Sequence, residues 1–325
     1  MRTRDLFLVT LTLFAVMARV EAAIAQSYPS RPITMIVPNP AGGPMDTIAR
    51  VIAERVRGSL GQPIIIENAP GAAGSIGTGR LARAAADGYT LSLGGWSQYV
   101  ANGAIYTLSY DLVRDFEPVM LVASQPLLLV TSKSVPAKNL AEVIAWLKIN
   151  PDKAWQGIGG HFEHVAGVLF QKETGTRFGF VPYRGTSLAM QDLAGRQIEL
   201  MIASAPAALA ALQAGSIKAH AVTAKARIAS MSDVPTADEA GLPGFHFSTW
   251  HALWAPKGTP TAVVAKLNAV VVDALDDPAV RRRLADLGQE IFPRGQQTPD
   301  ALGAFQRAEI KKWWPVIRES GIKPE

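Results

Sequence analysis

The chain has 325 residues, of which 48% are hydrophobic and 18% are charged, and its formal net charge is +5 at pH 7. This length and composition are typical of a globular protein with one large or two medium-sized domains. The absence of cysteine excludes disulfides, thiol nucleophiles and cysteine-ligated metals, and the dispersed basic residues argue against a nucleic-acid-binding surface.

The first 25 residues have the features of an export signal. Arg2 and Arg4 precede an apolar run over residues 6–18, and an A-x-A motif ends at Ala25. The apolar run is shorter than the roughly 20 residues that a membrane-spanning helix needs, which disfavours a membrane anchor. We therefore predict a signal peptide that is cleaved after Ala25, and a periplasmic location for the mature protein.

After this leader, short apolar segments alternate with helical patterns. Predicted strands cover residues 33–37, 64–67, 90–94, 118–122, 127–131, 199–202, 219–223 and 250–255. Predicted helices cover residues 45–60, 76–86, 139–150, 164–174, 187–194, 206–214, 260–275, 278–287 and 299–319. This alternation is typical of parallel sheets covered by helices on both faces, so the predicted fold class is α/β.

The junction between the first strand and the first helix, IVPNPAGGPMD, has features of an anion-binding loop. Gly42 and Gly43 leave backbone N–H groups uncovered, Pro44 suits a first helical turn, and Asp46 lies near the positive helix N-terminus. Such N–H groups, together with the helix dipole, attract a carboxylate without a charged side chain. In the alternative interpretation the glycines only form a tight turn, and this motif alone does not decide between the two.

Two further loops have a similar character. The segment WQGIGGHFEHVAGVLF places Gly159 and Gly160 before a helix, so that two glycine-rich helix entrances can face each other across a cleft. The segment LGGWSQ follows a predicted strand and contains Trp96 and Ser97. Trp96 either stacks on a ligand or packs in the core.

The catalytic and metal-binding patterns in the sequence are incomplete. AGSIG at residues 73–77 resembles a nucleophile elbow without its first glycine, and GTGRLA at residues 77–82 lacks the strand that a dinucleotide-binding loop follows. His161 and His164 have the spacing of a metal-binding pair, but no third ligand is visible, and His164 is better explained as orienting the helix entrance. We therefore predict no catalytic residue, no metal and no cofactor.

Motifs along the whole mature chain resemble one protein family. They read, in order, YPSRPITMIVPNPAGGPMDTIAR, GQPIIIENAPGAAGSIG, AAADGYTLSLG, YDLVRDFEPVMLV, FVPYRGTSLAMQDLAGRQIELMI, VPTADEAGLPGF and WAPKGTP. This series resembles the tripartite tricarboxylate transporter solute receptors, also called Bug-type periplasmic binding proteins. The resemblance implies a bilobed, type II-like periplasmic binding fold, in which two α/β domains are joined by two crossover strands near residues 122–125 and 249–254. Domain 1 would then comprise residues 26–124 and 250–325, and domain 2 residues 125–249.

The resemblance also implies a binding site between the two domains. In this family the two glycine loops hold a ligand carboxylate through backbone groups and ordered water. Carried over by position, the predicted ligand-binding residues are Asn39, Gly42, Gly43, Asp46, Gly95, Trp96, Ser97, Gly159, Gly160, His161, His164 and Ser204.

The chain departs from the family pattern at several of these positions. It has Asn39 in place of an aromatic residue, Gly95 in place of a threonine, Gly160 in place of a small hydroxyl residue, and Ser204 where an acid is common. Loss of the acid, together with the presence of Trp96, favours an aromatic carboxylate or a longer dicarboxylate over an amino acid.

The resulting prediction is a non-catalytic receptor that captures a small organic acid by domain closure. It would deliver this acid to the membrane permease subunits of a tripartite tricarboxylate-type transporter. One alternative is that the liganded receptor binds a sensor kinase. An exported hydrolase is less favoured, because no nucleophile–base motif is present. The resemblance implies a monomer, and no nucleic-acid partner is expected.

Overall fold

The structure is a computed structural model that describes residues 28–228 and 231–322. The predicted signal peptide and its cleavage site after Ala25 lie outside the described residues. None of the helices within the described ranges combines the length and the apolar character needed to span a bilayer.

The secondary structure alternates between strands and helices, as the sequence predicts. The strands are β1 Ile33–Val37, β2 Ile64–Asn68, β3 Thr90–Gly95, β4 Phe116–Ser132, β5 Trp155–Ile158, β6 Gly179–Pro182, β7 Leu200–Ser204, β8 Ile217–Val222, β9 Ser248–Pro256 and β10 Glu290–Ile291. The helices are α1 Pro44–Leu60, α2 Ser75–Ala82, α3 Asn102–Ile105, α4 Leu140–Ile149, α5 His161–Thr174, α6 Thr186–Ala194, α7 Ala205–Gln213, α8 Thr261–Asp276, α9 Pro278–Asp286 and α10 Pro299–Glu319.

The strands form two groups that share β4. In the first group, β1 pairs in parallel with β2 and β3, β3 pairs with β9, and β9 runs antiparallel to β4 as far as the pair Pro126–Ser248. In the second group, β4 continues from Leu127 and pairs with β7 and β8, while β5 pairs with β6 and β7. We call these groups, with their helices, lobe 1 and lobe 2, so that β4 and β9 connect the lobes of a bilobed α/β fold.

Helix α1 shows how the sequence pattern builds lobe 1. Ile48, Ile52 and Val56 recur at helical spacing and are buried in a core that also contains Leu267 of α8. The helix ends at Gly61, whose left-handed backbone lets its N–H bond to the carbonyl oxygen of Arg57. Burial of this face holds the first turn of α1 against the end of β1, where the first glycine loop lies.

The structure differs from the predicted elements in a few places. The predicted strands 118–122 and 127–131 are one continuous strand, β4, because the intervening Ser124, Gln125 and Pro126 pair with β9. The helix predicted over residues 76–86 ends at Ala82, since the chain tightens into a turn. The short strands β5 and β6 were not predicted, because their four residues each contain a glycine and lack a clear apolar run.

Candidate functional site

A cavity of about 480 Å³ lies between the two lobes. Lobe 1 contributes the loops after β1 and β3, lobe 2 contributes the starts of α5, α6 and α7, and β4 and β9 form the connecting wall. The lining residues are Asn39, Pro44, Met45, Gly95, Trp96, Ser97, Gln98, Gln125, Phe162, Thr186, Ser187, Ser204, Pro206, Ala207, Thr249, Trp250 and His251. A volume of this size accommodates a small organic molecule. A depression of similar volume beside Tyr110 and Arg114 is lined by lobe 1 alone.

Four helices direct their N-terminal ends toward this cavity, since first-turn residues of α1, α5, α6 and α7 line it. Their N-cap residues are Gly43, Gly160, Gly185 and Ser204, and within the described residues none of these four makes a side-chain capping hydrogen bond. Unsatisfied N–H groups and aligned peptide dipoles make such helix ends attractive to anions.

Three helices elsewhere in the fold contrast with these four. The N-termini of α4, α9 and α10 are capped by the side chains of Asn139, Asp277 and Thr298, which accept hydrogen bonds from first-turn N–H groups. A capping side chain satisfies donors that a helix otherwise presents to its surroundings. Within the described residues, helices α2, α3 and α8 also begin without a capping side chain but do not line the cavity, so what distinguishes the four helices is that their uncapped ends meet at one cavity.

In lobe 1, the first glycine loop is organised by Asp46. Gly42, with φ at +79°, donates its N–H to Asp46 Oδ2 at 2.9 Å, and Arg50 Nε donates to the same oxygen at 3.0 Å. The hydrogen bond from Arg50 holds the pKa of the buried Asp46 carboxyl below its usual value. Asp46 does not line the cavity, so this carboxylate orders the loop from within.

In lobe 2, the corresponding role belongs to Glu163, which the sequence analysis did not identify. Its side chain is completely buried, and it accepts hydrogen bonds from the Gly159 N–H and from Thr186 Oγ1, the latter at 2.7 Å. Burial raises the pKa of Glu163 to about 7, although both hydrogen bonds act in the opposite direction. The available signal was its position, the third residue of a helix, where an acid commonly reaches back to free N–H groups.

Gly159 and Gly160 differ in how tightly they are packed. A Cβ placed on Gly159 would lie 2.1 Å from the backbone nitrogen of Thr186, so the loop and the start of α6 approach too closely for any side chain. A Cβ on Gly160 would meet only the ring of Phe162, at 3.4 Å. The close approach at Gly159 brings the N-terminal ends of α5 and α6 together.

The first turns of α6 and α7 contain no acidic residue within the described part of the chain, unlike those of α1 and α5. In this part of the chain neither helix therefore has an acid of its own at its positive end, although the Glu163 side chain accepts a hydrogen bond from Thr186 of α6. Thr186 and Ser187 of α6 line the cavity, as do Pro206 and Ala207 of α7.

The predicted site residues divide into two sets. Those that line the cavity are Asn39, Gly95, Trp96, Ser97 and Ser204, and those that do not are Gly42, Gly43, Asp46, Gly159, Gly160, His161 and His164. Asn39 is held in place by its Oδ1, which accepts a hydrogen bond from Gln98 Nε2 at 3.3 Å.

The two histidines after the second glycine loop pack against aromatic rings. His164 contacts Phe180 at 4.3 Å between ring centroids, and burial, followed by the charge of His161, lowers the pKa of His164 to about 4. His161 packs edge-on against Tyr106 of lobe 1 at 6.0 Å, so it contributes to the contact between the lobes. Across residues 28–228 and 231–322 no cluster of three or more His, Asp or Glu side chains is arranged to hold a metal ion.

Trp96 borders the cavity, but its side chain is only 1% exposed. It packs edge-on against Phe247 and Trp313, with ring centroids 5.3 and 5.9 Å away. Its neighbour Gly95 lies so close to β9 that a Cβ would be 2.1 Å from the carbonyl oxygen of Trp250. This close contact leaves no room for a side chain at position 95.

Several lining residues were not predicted, namely Gln98, Gln125, Thr186, Ser187, Thr249 and His251. Gln125, Thr249 and His251 belong to β4 and β9, where polar side chains interrupt apolar strands. A polar residue inside a buried strand was the signal available in the sequence, because burial of a polar group requires a partner.

Comparisons with known proteins identify relatives of this chain. Residues 48–322 match the tripartite tricarboxylate transporter family receptor. Protein BugT of Bordetella pertussis is 37% identical over 321 residues, covering 97% of this chain and 98% of BugT. A Rhodopseudomonas palustris protein solved with adipate is 34% identical, with 92% and 100% of the two chains covered and a TM-score of 0.81. MatC of the same organism, solved with bound malate, is 38% identical, with 89% and 100% covered and a TM-score of 0.77.

These matches confirm the predicted family and the predicted bilobed fold, since relatives above 30% identity cover nearly the whole chain. The chain therefore belongs to the tripartite tricarboxylate transporter receptor family, whose members are periplasmic solute-binding proteins.

Proposed function

We propose that this protein captures a small carboxylate in the cavity between its lobes and presents it to the permease subunits of a tripartite tricarboxylate-type transporter. The observation that carries this proposal is the convergence of four uncapped helix N-termini on one cavity, as found among the described residues. Such an arrangement stabilises an anion. Relatives solved with adipate and with malate support a carboxylate ligand.

The ligand carboxylate is proposed to bind at the N-termini of α6 and α7, whose first turns have no acid of their own. The hydroxyl groups of Ser97, Ser187 and Ser204 line the same cavity and can donate further hydrogen bonds. Asp46 and Gly159 do not contact the ligand in this proposal. Asp46 instead orders the first glycine loop, and Gly159 allows the close packing of the second.

The lining also favours a dicarboxylate over an amino acid. Among the described residues no aspartate or glutamate lines the cavity, so an α-ammonium group would be buried without a charged partner. The burial of Trp96 weakens the case for an aromatic ligand, because its ring face already packs on other aromatic residues.

Ligand capture is proposed to close lobe 1 onto lobe 2 about β4 and β9. The proposed domains are residues 26–124 with 250–325, and residues 125–249, as the resemblance implies. A ligand that contacts both lobes binds the closed state more tightly and shifts the population toward it. Export with cleavage after Ala25 and a monomeric state complete the proposal.

The lining gives more support to a receptor than to a hydrolase. In the described structure neither ring nitrogen of His251 is hydrogen-bonded to a serine hydroxyl, although an activated nucleophile requires such a base. A sensor kinase is the second candidate for the partner of the liganded form, because a kinase and a permease could both bind the same closed conformation.

A binding screen tests the proposal. The mature protein is heated with aliphatic dicarboxylates, tricarboxylates, aromatic carboxylates and acidic amino acids, and the melting temperature is recorded for each. A ligand at 100 times its Kd stabilises the fold by about 2.7 kcal/mol, which raises the melting temperature by a few degrees. We expect a dicarboxylate to give the largest shift and to be recovered unchanged. Shifts from acidic amino acids alone would contradict the proposed ligand class, and conversion of the bound compound would contradict a receptor.

A further inference from the structure

Two side chains on the connecting strands border the cavity with unused hydrogen-bonding groups. His251 and Gln125 are each 6% exposed and line the cavity. In the described structure neither ring nitrogen of His251 has a hydrogen-bond partner, and the Gln125 side-chain nitrogen has none. The indole nitrogen of Trp96, which also borders the cavity, is a further buried donor without a partner there.

Strand register places His251 and Gln125 on one face of the sheet. Gln125 lies opposite Thr249, and His251 lies opposite Ala123. Residues directly opposite each other, and residues two apart along a strand, project to the same face. Trp250 lies between Thr249 and His251 and turns its indole to the other face, where it donates to Glu309 of α10 at 3.1 Å.

Another polar side chain of the same cavity contrasts with these unused groups. The Gln98 side chain accepts from the Gly95 N–H at 3.1 Å and donates to Asn39 Oδ1 at 3.3 Å. Its amide nitrogen also donates to the carbonyl oxygen of Ala73 at 3.3 Å, so the protein itself uses both N–H groups and the oxygen. Buried polar groups are nearly always satisfied in this way, and an unsatisfied one costs about 1–3 kcal/mol. Unpartnered buried polar atoms also occur away from the cavity in the described structure, at Gln156 and Gln289 for example, so it is the position of His251 and Gln125 on the cavity wall that makes their groups accessible to a ligand.

The unused groups include hydrogen-bond donors, which fit an acceptor on a ligand. A neutral imidazole has one N–H in either tautomer, and a primary amide has two. Burial lowers the pKa of His251 to about 4, so the ring is neutral at pH 7. A carboxylate has only acceptor oxygens and can receive hydrogen bonds from both side chains.

We propose that His251 and Gln125 form a second anchor, which receives the far carboxylate of a dicarboxylate whose near carboxylate lies at the N-termini of α6 and α7. This inference rests on the proposed function, since it assumes a carboxylate in the cavity. It assigns selectivity between dicarboxylates and monocarboxylates to residues of the connecting strands.

The test compares dicarboxylates with monocarboxylates of the same length. Titration calorimetry measures Kd for succinate and butyrate, and for adipate and hexanoate, with the wild type and with His251→Leu, His251→Gln and Gln125→Leu. A hydrogen bond to a charged group is worth about 1.5–3 kcal/mol, so His251→Leu should weaken dicarboxylate binding about 10-fold or more. Monocarboxylate binding should change less than about 3-fold, because that ligand leaves the second anchor empty. His251→Gln retains a donor and should restore part of the dicarboxylate affinity.

His220 provides the matched control. It is also a buried histidine, but it lies on β8, bonds to Thr131 Oγ1 at 2.8 Å and does not line the cavity. His220→Gln should therefore leave the ratio of the two affinities unchanged. Circular dichroism and melting temperatures establish that each variant is folded, and Gln125→Leu tests the anchor independently if one histidine variant does not fold.

The possible results separate the two proposals. A wild type that binds butyrate as tightly as succinate, and hexanoate as tightly as adipate, would overturn the second anchor while leaving a carboxylate receptor in place. Equal losses for both ligand types in the His251 and Gln125 variants would overturn it too. Failure of the wild type to bind any carboxylate would refute the proposed function itself, and the second anchor with it.

Discussion

Replacing Glu163 with glutamine should change how the stability of the protein depends on pH. Burial raises the pKa of Glu163 from 4.5 to about 7. A carboxyl group whose pKa is higher in the folded state binds its proton more tightly there than in the unfolded chain. The free energy of unfolding is therefore highest below the unfolded-state pKa and falls as the pH rises toward the folded-state pKa.

The magnitude follows from the size of the shift. A rise from 4.5 to about 7 corresponds to about 3 kcal/mol in total, of which about 2.5 kcal/mol is lost between pH 5 and pH 8. Glutamine at position 163 does not titrate, so Glu163→Gln lacks this loss. The variant has a cost of its own that does not depend on pH, because its amide nitrogen cannot accept a hydrogen bond and both Gly159 and Thr186 donate to the Glu163 carboxyl group.

Urea unfolding of the ligand-free protein at pH 5, 6, 7 and 8 provides the assay. The free energy of unfolding of Glu163→Gln minus that of the wild type should increase by about 2.5 kcal/mol across this range. Histidines such as His164 and His220, whose pKa values burial lowers to about 4, titrate in both proteins and cancel in the difference. Glu173→Gln, on the exposed side of the same helix, removes one acidic residue without changing the glycine loop and serves as the control. Parallel curves for Glu163→Gln and wild type would refute the reasoning.

Four further substitutions test the glycine loops and the end of β3. Gly159→Ala should lower the free energy of unfolding by about 2 kcal/mol, because its Cβ would overlap backbone atoms. Gly160→Ala should lower it by less than about 0.5 kcal/mol, because its Cβ meets only the ring of Phe162. Urea titration of both variants checks this contrast. Gly95→Ala should also destabilise the fold by about 2 kcal/mol, through contact with the carbonyl of Trp250, and an unchanged melting temperature would show that β3 and β9 are farther apart than described. Asp46→Asn should lower the free energy of unfolding by about 1 kcal/mol at pH 7. This loss should shrink as the pH falls below about 4, because the carboxylate is then protonated in the unfolded chain. An equal loss at pH 3 and pH 7 would contradict an ionised Asp46.

Much of the fold could be predicted from local patterns. The apolar run of β1 and the helical spacing in α1 specify their elements without reference to the rest of the chain. The continuity of β4 could not be predicted locally, because Gln125 and Pro126 join the strand only by pairing with β9, more than a hundred residues away. The shortness of β5 and β6 likewise removes the periodicity that would identify them.

The candidate site was predictable to a similar extent. Glycines before helices mark free N–H groups in the sequence, and the structure places the starts of those helices at one cavity. The sequence does not show whether a neighbouring carboxylate already uses such groups, as Asp46 and Glu163 do, because this depends on side-chain geometry. The role of His251 was missed for a related reason, since its unused nitrogens become visible only when β3, β4 and β9 are assembled.

A crystal structure of the mature protein with the dicarboxylate that gives the largest thermal shift would show where the ligand binds. One carboxylate should lie within hydrogen-bonding distance of the first-turn N–H groups of α6 and α7, around Thr186 and Ala207, with lobes 1 and 2 both in contact with the ligand. A ligand bound outside the cavity, or one whose carboxylates both point to solvent, would contradict the proposed carboxylate site.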